Sequence, residues 1–559
     1  MKELKKFAQP LIVILRWLGR IKIKHLLFLS LPFLIVIELF ALLSSHKFVG
    51  NFIGRNFFRN QYFENIYELS QLERTDSPSG GSWGDYNNDG WQDLLVTGKT
   101  TKLYKNNGNS TFTDVTKESG LVELPSSATG VFGDYDNDGC LDLYVKIVNA
   151  NFSNKLFHNN CNGSFSDVTT LSRLANIGEK RRGSGASWGD YDNDGFIDLY
   201  IANHGSYRPD GEYIITFEPN VLYHNNGDGT FTDVTVKAGV SGITNCVEPR
   251  YSWSHIKGSE GGPLKLSFQP IFFDYNDDGL VDLFIATDGG VNPLYRNNGD
   301  GTFVEVTDEV GICVYGSGMG VSIGDFDNSG TPDIYVTNVG SNYLWSNEGS
   351  GKFYEVAKAF GVSDSLSIGW GTSFLDFDND GNLDLYIANG IVNDAEIVES
   401  GIGQVRLDKL YYNNGDNFEN VSSSMGFEGD YPKEGLAIGD FNNDGFEDIF
   451  VLSAWRLGED KSRLYRNSGN NNNWITIKLV GTKSNKDGIG AKVIVVSGGK
   501  TQTKFVTSGS SFLSQNSIWQ TFGLGISDKI DKIEINWSSG IVQALEDIKV
   551  NQFLTIVES

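Results

Sequence analysis

The sequence predicts an all-β protein: a closed seven-bladed propeller followed by a small β-sandwich, behind one N-terminal transmembrane helix. Three observations carry this. A nine-residue acidic core recurs seven times, beginning at Asp85, Asp134, Asp190, Asp274, Asp325, Asp376 and Asp440, at spacings of 49, 56, 84, 51, 51 and 64 residues. Each core lies between two short apolar runs rich in β-formers, and further runs of the form L-Y-x-N and F-x-D-V follow. The sustained helical periodicity of a helical solenoid is absent, and 66 glycines suit a turn-rich β chain.

Residues 1–25 are basic, with Lys2, Lys5, Lys6, Arg16, Arg20, Lys22 and Lys24, and an apolar run from Leu26 to Leu43 follows. The basic flank is expected to stay cytoplasmic and residues 26–45 to form a signal-anchor, with everything after them exported. Pro32 and Glu38 interrupt the run, so the alternative is a cleaved signal and a secreted protein.

Counting each core from its first Asp, oxygen side chains stand at positions 1, 3, 5 and 9, with Gly at 6. The sets are Asp85, Asn87, Asp89, Asp93; Asp134, Asp136, Asp138, Asp142; Asp190, Asp192, Asp194, Asp198; and Asp274, Asn276, Asp278, Asp282. Three more follow: Asp325, Asp327, Ser329, Asp333; Asp376, Asp378, Asp380, Asp384; and Asp440, Asn442, Asp444, Asp448. A hard cation takes six to eight oxygens, and Gly permits the tight turn, so this is calcium-loop spacing for up to seven ions. Position 12, where an EF-hand places its bidentate Glu, is Val96, Val145, Ile201, Ile285, Val336, Ile387 or Val451, so a strand leaves each loop. The loops hold 24 ligand carboxylates of a chain whose formal charge is −25, and bound calcium would offset most of that repulsion. Nucleic acid is excluded as a partner at this charge.

The strand before each loop is termed A, the strand after it B, the L-Y-x-N strand C and the F-x-D-V strand D. Six C strands are followed by a D strand, whereas the seventh, at Leu464, is not; FENI at Phe63 to Ile66 precedes the first A strand instead. A missing strand supplied from the other end of the array is the mark of circular closure, which removes exposed edges. These residues resemble FG-GAP repeats of the VCBS type, as in the integrin α-subunit propeller, over about residues 57–468. The resemblance implies seven blades with calcium in the A–B turns at the 28 positions named, and Ser329 departs from its acidic pattern.

Alternating strand direction puts the calcium loops on one face and the B–C and D–A connections on the other. The long insertions, Asn203 to Asn220, Lys237 to Leu266, Asn389 to Lys409 and Ser453 to Ser462, all fall in the second class. They carry Tyr207, Arg208, Tyr213, Arg250, Trp253, Trp455 and Arg456, a composition suited to binding.

From Asn473 the pattern changes to six or more strands, including WITIKLV, GIGAKVIVV and QFLTIV. The stretch GTKSNKDGIGAKV, with FGLG and WSSG, resembles the ASPIC/UnbV domain over residues 474–557; that family commonly has Pro where this chain has Ser538. Gly488, Gly490, Gly523 and Gly525 read as turn and bulge positions.

Cys140 occupies position 7 of the second loop and Cys161 the turn after strand C of the same blade. Neighbouring antiparallel strands lie about 4.8 Å apart, so the start of B meets the end of C within disulfide reach. A second bridge, Cys246 to Cys313, is less constrained. No catalytic signature appears: His158 and His224 fill the variable place in L-Y-x-N-N and read as repeat variants, while His204 and His255 lie in the insertions. The reading is a calcium-binding, membrane-anchored propeller that binds a protein or glycan outside the cytoplasm. The alternative is an exported enzyme or biosynthetic accessory protein acting through the insertion face, since ASPIC/UnbV domains also occur in enediyne biosynthetic clusters. A third is an envelope protein with a structural role only.

Overall fold

The computed structural model describes residues 62–121, 124–148, 152–175, 184–204, 219–242, 246, 266–391, 402–403, 407–427, 431–454 and 460–559. The expected basic segment and anchor at 1–45 lie outside these residues, as do most of the first three long insertions and residues 455–459 of the fourth, with Tyr207, Arg208, Tyr213, Arg250, Trp253, His255, Trp455 and Arg456. Among the described residues no helix is long and apolar enough to cross a membrane. The fold is all-β; helix is confined there to single turns at Thr235–Ala238 and Ser422–Ser424.

Seven four-stranded antiparallel sheets are built from the repeats. In the first, strand A (Pro78–Gly84) pairs with B (Asp93–Gly98), B with C (Lys102–Asn106) and C with D (Phe112–Asp114). The seventh sheet, Lys433–Gly439, Asp448–Ser453 and Arg463–Asn467, takes its fourth strand from Phe63–Asn65, with Phe63 opposite Asn467. Each A strand touches the A strand of the next sheet, and the seventh touches the first. The hydrophobic core therefore lies between neighbouring sheets. Between the first and second it consists of Tyr86, Leu95, Leu103, Phe132, Leu143, Phe165 and their neighbours.

Two repeated contacts close the ring. The aromatic at position 2 of each loop packs on the D-strand Phe of the next sheet: Tyr86 on Phe165 at 5.7 Å, Tyr135 on Phe231 at 5.7 Å, and Phe377 on Phe63 at 6.1 Å. In the other direction, the Asn ending each L-Y-x-N run donates its Nδ2–H to the position-2 carbonyl of the preceding loop. Asn159 reaches Tyr86 at 2.7 Å, Asn225 reaches Tyr135 at 2.8 Å, and Asn106 reaches Phe441 of the seventh loop at 2.7 Å. Such a buried amide must be fully satisfied, which accounts for Asn at this place in every repeat.

The C-terminal region is a sandwich of a three-stranded and a four-stranded sheet. Its seven strands include Val542–Lys549, unassigned from sequence because half of its residues are polar, most are exposed, and its apolar residues Val542, Ala544, Leu545 and Ile548 do not alternate. Its core joins Ile475, Ile477, Val493, Val495, Phe522 and Ile533 to Trp188, Leu199 and Ile201 of the repeats. The two parts share one packed core and are not beads on a linker.

The segment from Ser508 to Ser517 leaves the sandwich and threads the space enclosed by the seven A strands. An A strand is the inner edge of its sheet, so one side of its backbone has no ladder partner. Gln515 supplies two: its N–H donates to Gly81 O at 3.0 Å, and its carbonyl accepts the Trp83 N–H at 3.2 Å. Its side-chain Oε1 accepts the Phe132 N–H at 2.7 Å while Nε2 donates to Phe132 O at 3.1 Å. Ser511 pairs with Val321 in both directions at 2.8 and 3.0 Å, and its Oγ accepts the Thr372 N–H. Asn516 accepts from Ile438, Gln269 from Leu513, and Ser187 donates to the Ser508 carbonyl. All seven inner strands are engaged. At the tip, Phe512 and Leu513 pack among Ala128, Phe268, Met319, Ile368 and Trp370.

Candidate metal centres on the covered face

Each acidic loop is wound by its own carboxylates. In the first, Asp85 accepts the Asp89 N–H at 2.9 Å on one oxygen and the Gly90 N–H at 3.1 Å on the other. The pattern repeats at Asp134, Asp190, Asp274, Asp376 and Asp440. The loops reach this turn through a left-handed residue at position 4 (Asn88, φ 55°) and Gly at position 6 (Gly90, φ 86°). The fifth loop departs where the sequence does. Ser329 donates its hydroxyl to Asp325 at 3.4 Å and brings no carboxylate to position 5, which leaves the loop three carboxylates, as in the first, fourth and seventh.

The Asp at position 9 starts strand B and is fully buried. In every loop but the first, one oxygen accepts the position-2 N–H and the other the C-strand Asn N–H, as Asp142 does from Tyr135 at 3.1 Å and Asn159 at 2.7 Å; Asp93 accepts only the Asn106 N–H. These bonds fix the carboxylate facing into the loop. Carboxylate oxygens of Asp134, Asp136 and Asp138, and of Asp190, Asp192 and Asp198, lie within 4.8 Å of one another. Burial, reinforced by neighbouring carboxylates, pushes Asp93, Asp134 and Asp190 up to about 8 and Asp142 to about 10. Buried oxygens of Asp93, Asp136, Asp378 and Asn276 have no hydrogen-bond partner. Like charges forced together with orphaned oxygens turned inward are what a cation site looks like without its cation, and all-oxygen donors suit calcium. In the second loop positions 1, 3 and 5 come together, and in the third positions 1, 3 and 9.

The loops are also laced to one another. Position-4 side chains donate to the position-6 carbonyl of the next loop: Asn88 to Gly139 at 2.9 Å, Asn137 to Gly195 at 2.8 Å, Asn379 to Gly445 at 2.9 Å, and Asn443 back to Gly90 at 2.8 Å. In the fourth loop this residue is Asp277, which instead pairs with Lys492 of the sandwich at 2.9 Å.

Lys492 belongs to a set of groups that sequence reasoning missed. The sandwich sits on the acidic face: Lys478 approaches Asp85 at 4.0 Å, Lys504 approaches Glu447 at 3.9 Å, and Lys500 reaches Asn382 at 2.7 Å. Asp487 accepts the Asp134 N–H at 2.7 Å, and the Lys486 N–H donates to Asn137 at 2.9 Å. The available signal was the excess of lysine over acid in the strands that follow Asn473, opposite a face dense in carboxylates.

The structure pairs Cys140 with Cys161, Cα atoms 5.6 Å apart, and Cys246 with Cys313, 6.0 Å apart. His204 stacks on Phe268 at 4.3 Å, with its Nε2 3.8 Å from Asp288. His158 and His224, read from sequence as repeat variants, point into the second and third loops.

The sequence matches the FG-GAP-like repeat family over residues 85–145, 274–336 and 325–387, and the ASPIC and UnbV family over residues 481–559. It is 26% identical over 407 residues to cartilage acidic protein 1 of Homo sapiens, covering 70% of this chain and 56% of that protein. The Xenopus tropicalis cartilage acidic protein 1 is 25% identical over 421 residues, covering 73% and 60%. The chain thus spans little more than half the length of these curated relatives. Among solved structures, the BP39L lectin from Burkholderia pseudomallei aligns with a TM-score of 0.41 and 9% identity, over 70% of this chain and 97% of the lectin. The chain therefore joins FG-GAP-like repeats to a C-terminal ASPIC and UnbV domain and is a homologue of cartilage acidic protein 1.

Proposed function

We propose that this chain is a calcium-loaded, seven-bladed propeller, exported and held at the membrane by its N-terminal apolar run, that binds a protein or glycan outside the cytoplasm. The observation that carries the reading is the placement of the sandwich. It covers the acidic face and fills the central channel, so the loops serve the fold and the ligand surface is the opposite face, where the B–C and D–A connections turn. The seven carboxylate sets are the calcium-holding groups, and the ion's part is to neutralise charge that burial otherwise penalises. Adhesion is the activity this arrangement fits.

The test takes the exported region, residues 57–559, and asks two questions. Calcium titration should saturate at up to seven sites, with a rise in melting temperature that excess chelator reverses. Glycan and protein arrays should then give a ligand whose binding is lost on substituting Trp253 or Arg250 and kept on substituting Lys478. A protein that melts identically with and without calcium would refute the metal reading; a ligand whose binding depends on Lys478 would refute the choice of face.

A further inference from the structure

The residue at the variable place of L-Y-x-N stands beside its own acidic loop. In the first sheet Lys105 places its ammonium 3.2 Å from Asp89, and in the sixth the Tyr412 hydroxyl donates to Asp380 at 3.1 Å. The fourth and seventh sheets have Arg296 and Arg466 there, which pair outward with Glu309 and Glu64. Only the second and third have histidine. His158 Nδ1 lies 3.0 Å from Asp136 and 3.4 Å from Asp142; His224 Nδ1 lies 3.3 Å from Asp192 and 3.2 Å from Asp198. The same three roles, position 3, position 9 and imidazole, thus meet twice. Both Nδ1 atoms are shut off from solvent, and neither makes a hydrogen bond of regular angle to these carboxylates.

We propose that the second and third loops are mixed nitrogen and oxygen sites for a borderline divalent transition metal such as zinc, held by Asp136, Asp142 and His158 and by Asp192, Asp198 and His224. This rests on the reading that the loops bind metal, and departs from it in the ion taken by these two. Calcium is a hard cation that takes oxygen ligands, whereas imidazole suits zinc and its neighbours. Donor atoms about 2.1 Å from one ion lie roughly 3.0 to 3.4 Å apart, depending on geometry, which matches the four separations above. Loops one, four and seven cannot do this, because Lys105, Arg296 and Arg466 offer no free donor and carry positive charge. In the second loop the Cys140–Cys161 bridge ties position 7 to the turn three residues beyond His158, so it positions loop and imidazole together.

The experiment loads the exported region with Zn2+ in the presence of millimolar Ca2+, removes free metal by gel filtration, and counts both ions by mass spectrometry. Two equivalents of zinc are expected, falling to one in His158→Gln or His224→Gln and to none in the double variant, with calcium retained at the remaining loops. X-ray absorption at the zinc edge of the unsubstituted protein needs no variant to fold, and should show one nitrogen ligand of imidazole type per ion. Calcium displacing zinc from every loop, or an all-oxygen zinc shell, would overturn the proposal while leaving calcium binding intact. Retention of neither ion would overturn both readings.

Discussion

Truncating Gln515 should loosen the whole ring, although it lies in the C-terminal region, far in sequence from the sheets it bonds. Its side chain is 1% exposed and makes two hydrogen bonds, at 2.7 and 3.1 Å, to the Phe132 amide and carbonyl. Gln515→Ala removes both and leaves two buried backbone groups of Phe132 without these partners. An orphaned buried polar group costs about 1 to 3 kcal/mol, so the expected loss is about 2 to 6 kcal/mol. Gln515→Glu should be worse, because a carboxylate then faces the Phe132 carbonyl with no donor and must be buried. The assay is urea unfolding followed by the fluorescence of the buried Trp83 and Trp188, with amide exchange at Phe132 as the local reporter. Ile526→Ala, at a side chain 93% exposed, is the control and should change stability by less than about 0.5 kcal/mol. If Gln515→Ala behaves like that control and the Phe132 amide stays protected, the segment does not fill the channel as described.

Other predictions follow from the same contacts. Asn225→Ala strips the Tyr135 and Ile197 carbonyls of their donor and should cost about 2 to 4 kcal/mol in urea unfolding, where Asn226→Ala, at the exposed neighbour, costs little. A chain starting at Ser70 should melt well below one starting at Asn51, because it lacks Phe63–Asn65 and leaves the seventh sheet with an open edge; equal melting would contradict the closure. Glu558 gives a pH signature. Burial pushes its carboxyl up, but the Ser539 hydroxyl and the amides of Thr482, Lys483 and Ser484 outweigh this and bring it down to about 2 from 4.5. A depressed carboxylate stabilises the fold above its unfolded value, so this contribution is complete above about pH 4.5 and lost as pH falls towards 2. Glu558→Gln should be less stable at pH 7 and should lack that loss between pH 4.5 and 2. Peptide mapping without reduction should recover Cys140 linked to Cys161; either cysteine found free or paired elsewhere would contradict the arrangement at the second loop.

What the sequence determined by itself was everything encoded locally and repeated. Seven copies of an acidic core with Gly at position 6 fix the turn and the strands on either side, because the contacts that wind the turn are made within nine residues. The displaced Phe63–Asn65 strand was legible too, since one D strand was missing from a counted set. The partner of the C-strand Asn was not, although its recurrence was visible: its acceptor lies in the preceding repeat, and only the packing of sheet on sheet brings the two together. Least legible of all was the stretch from Ser508 to Ser517. Its small polar residues carry no periodicity and read as an ordinary loop. It matters because seven inner strands present unpaired backbone groups around one axis, a demand that exists only once the ring has closed. The seating of Lys478, Lys492 and Lys504 against the acidic face has the same origin, since opposite charges from separate parts of the sequence meet only in the assembled fold.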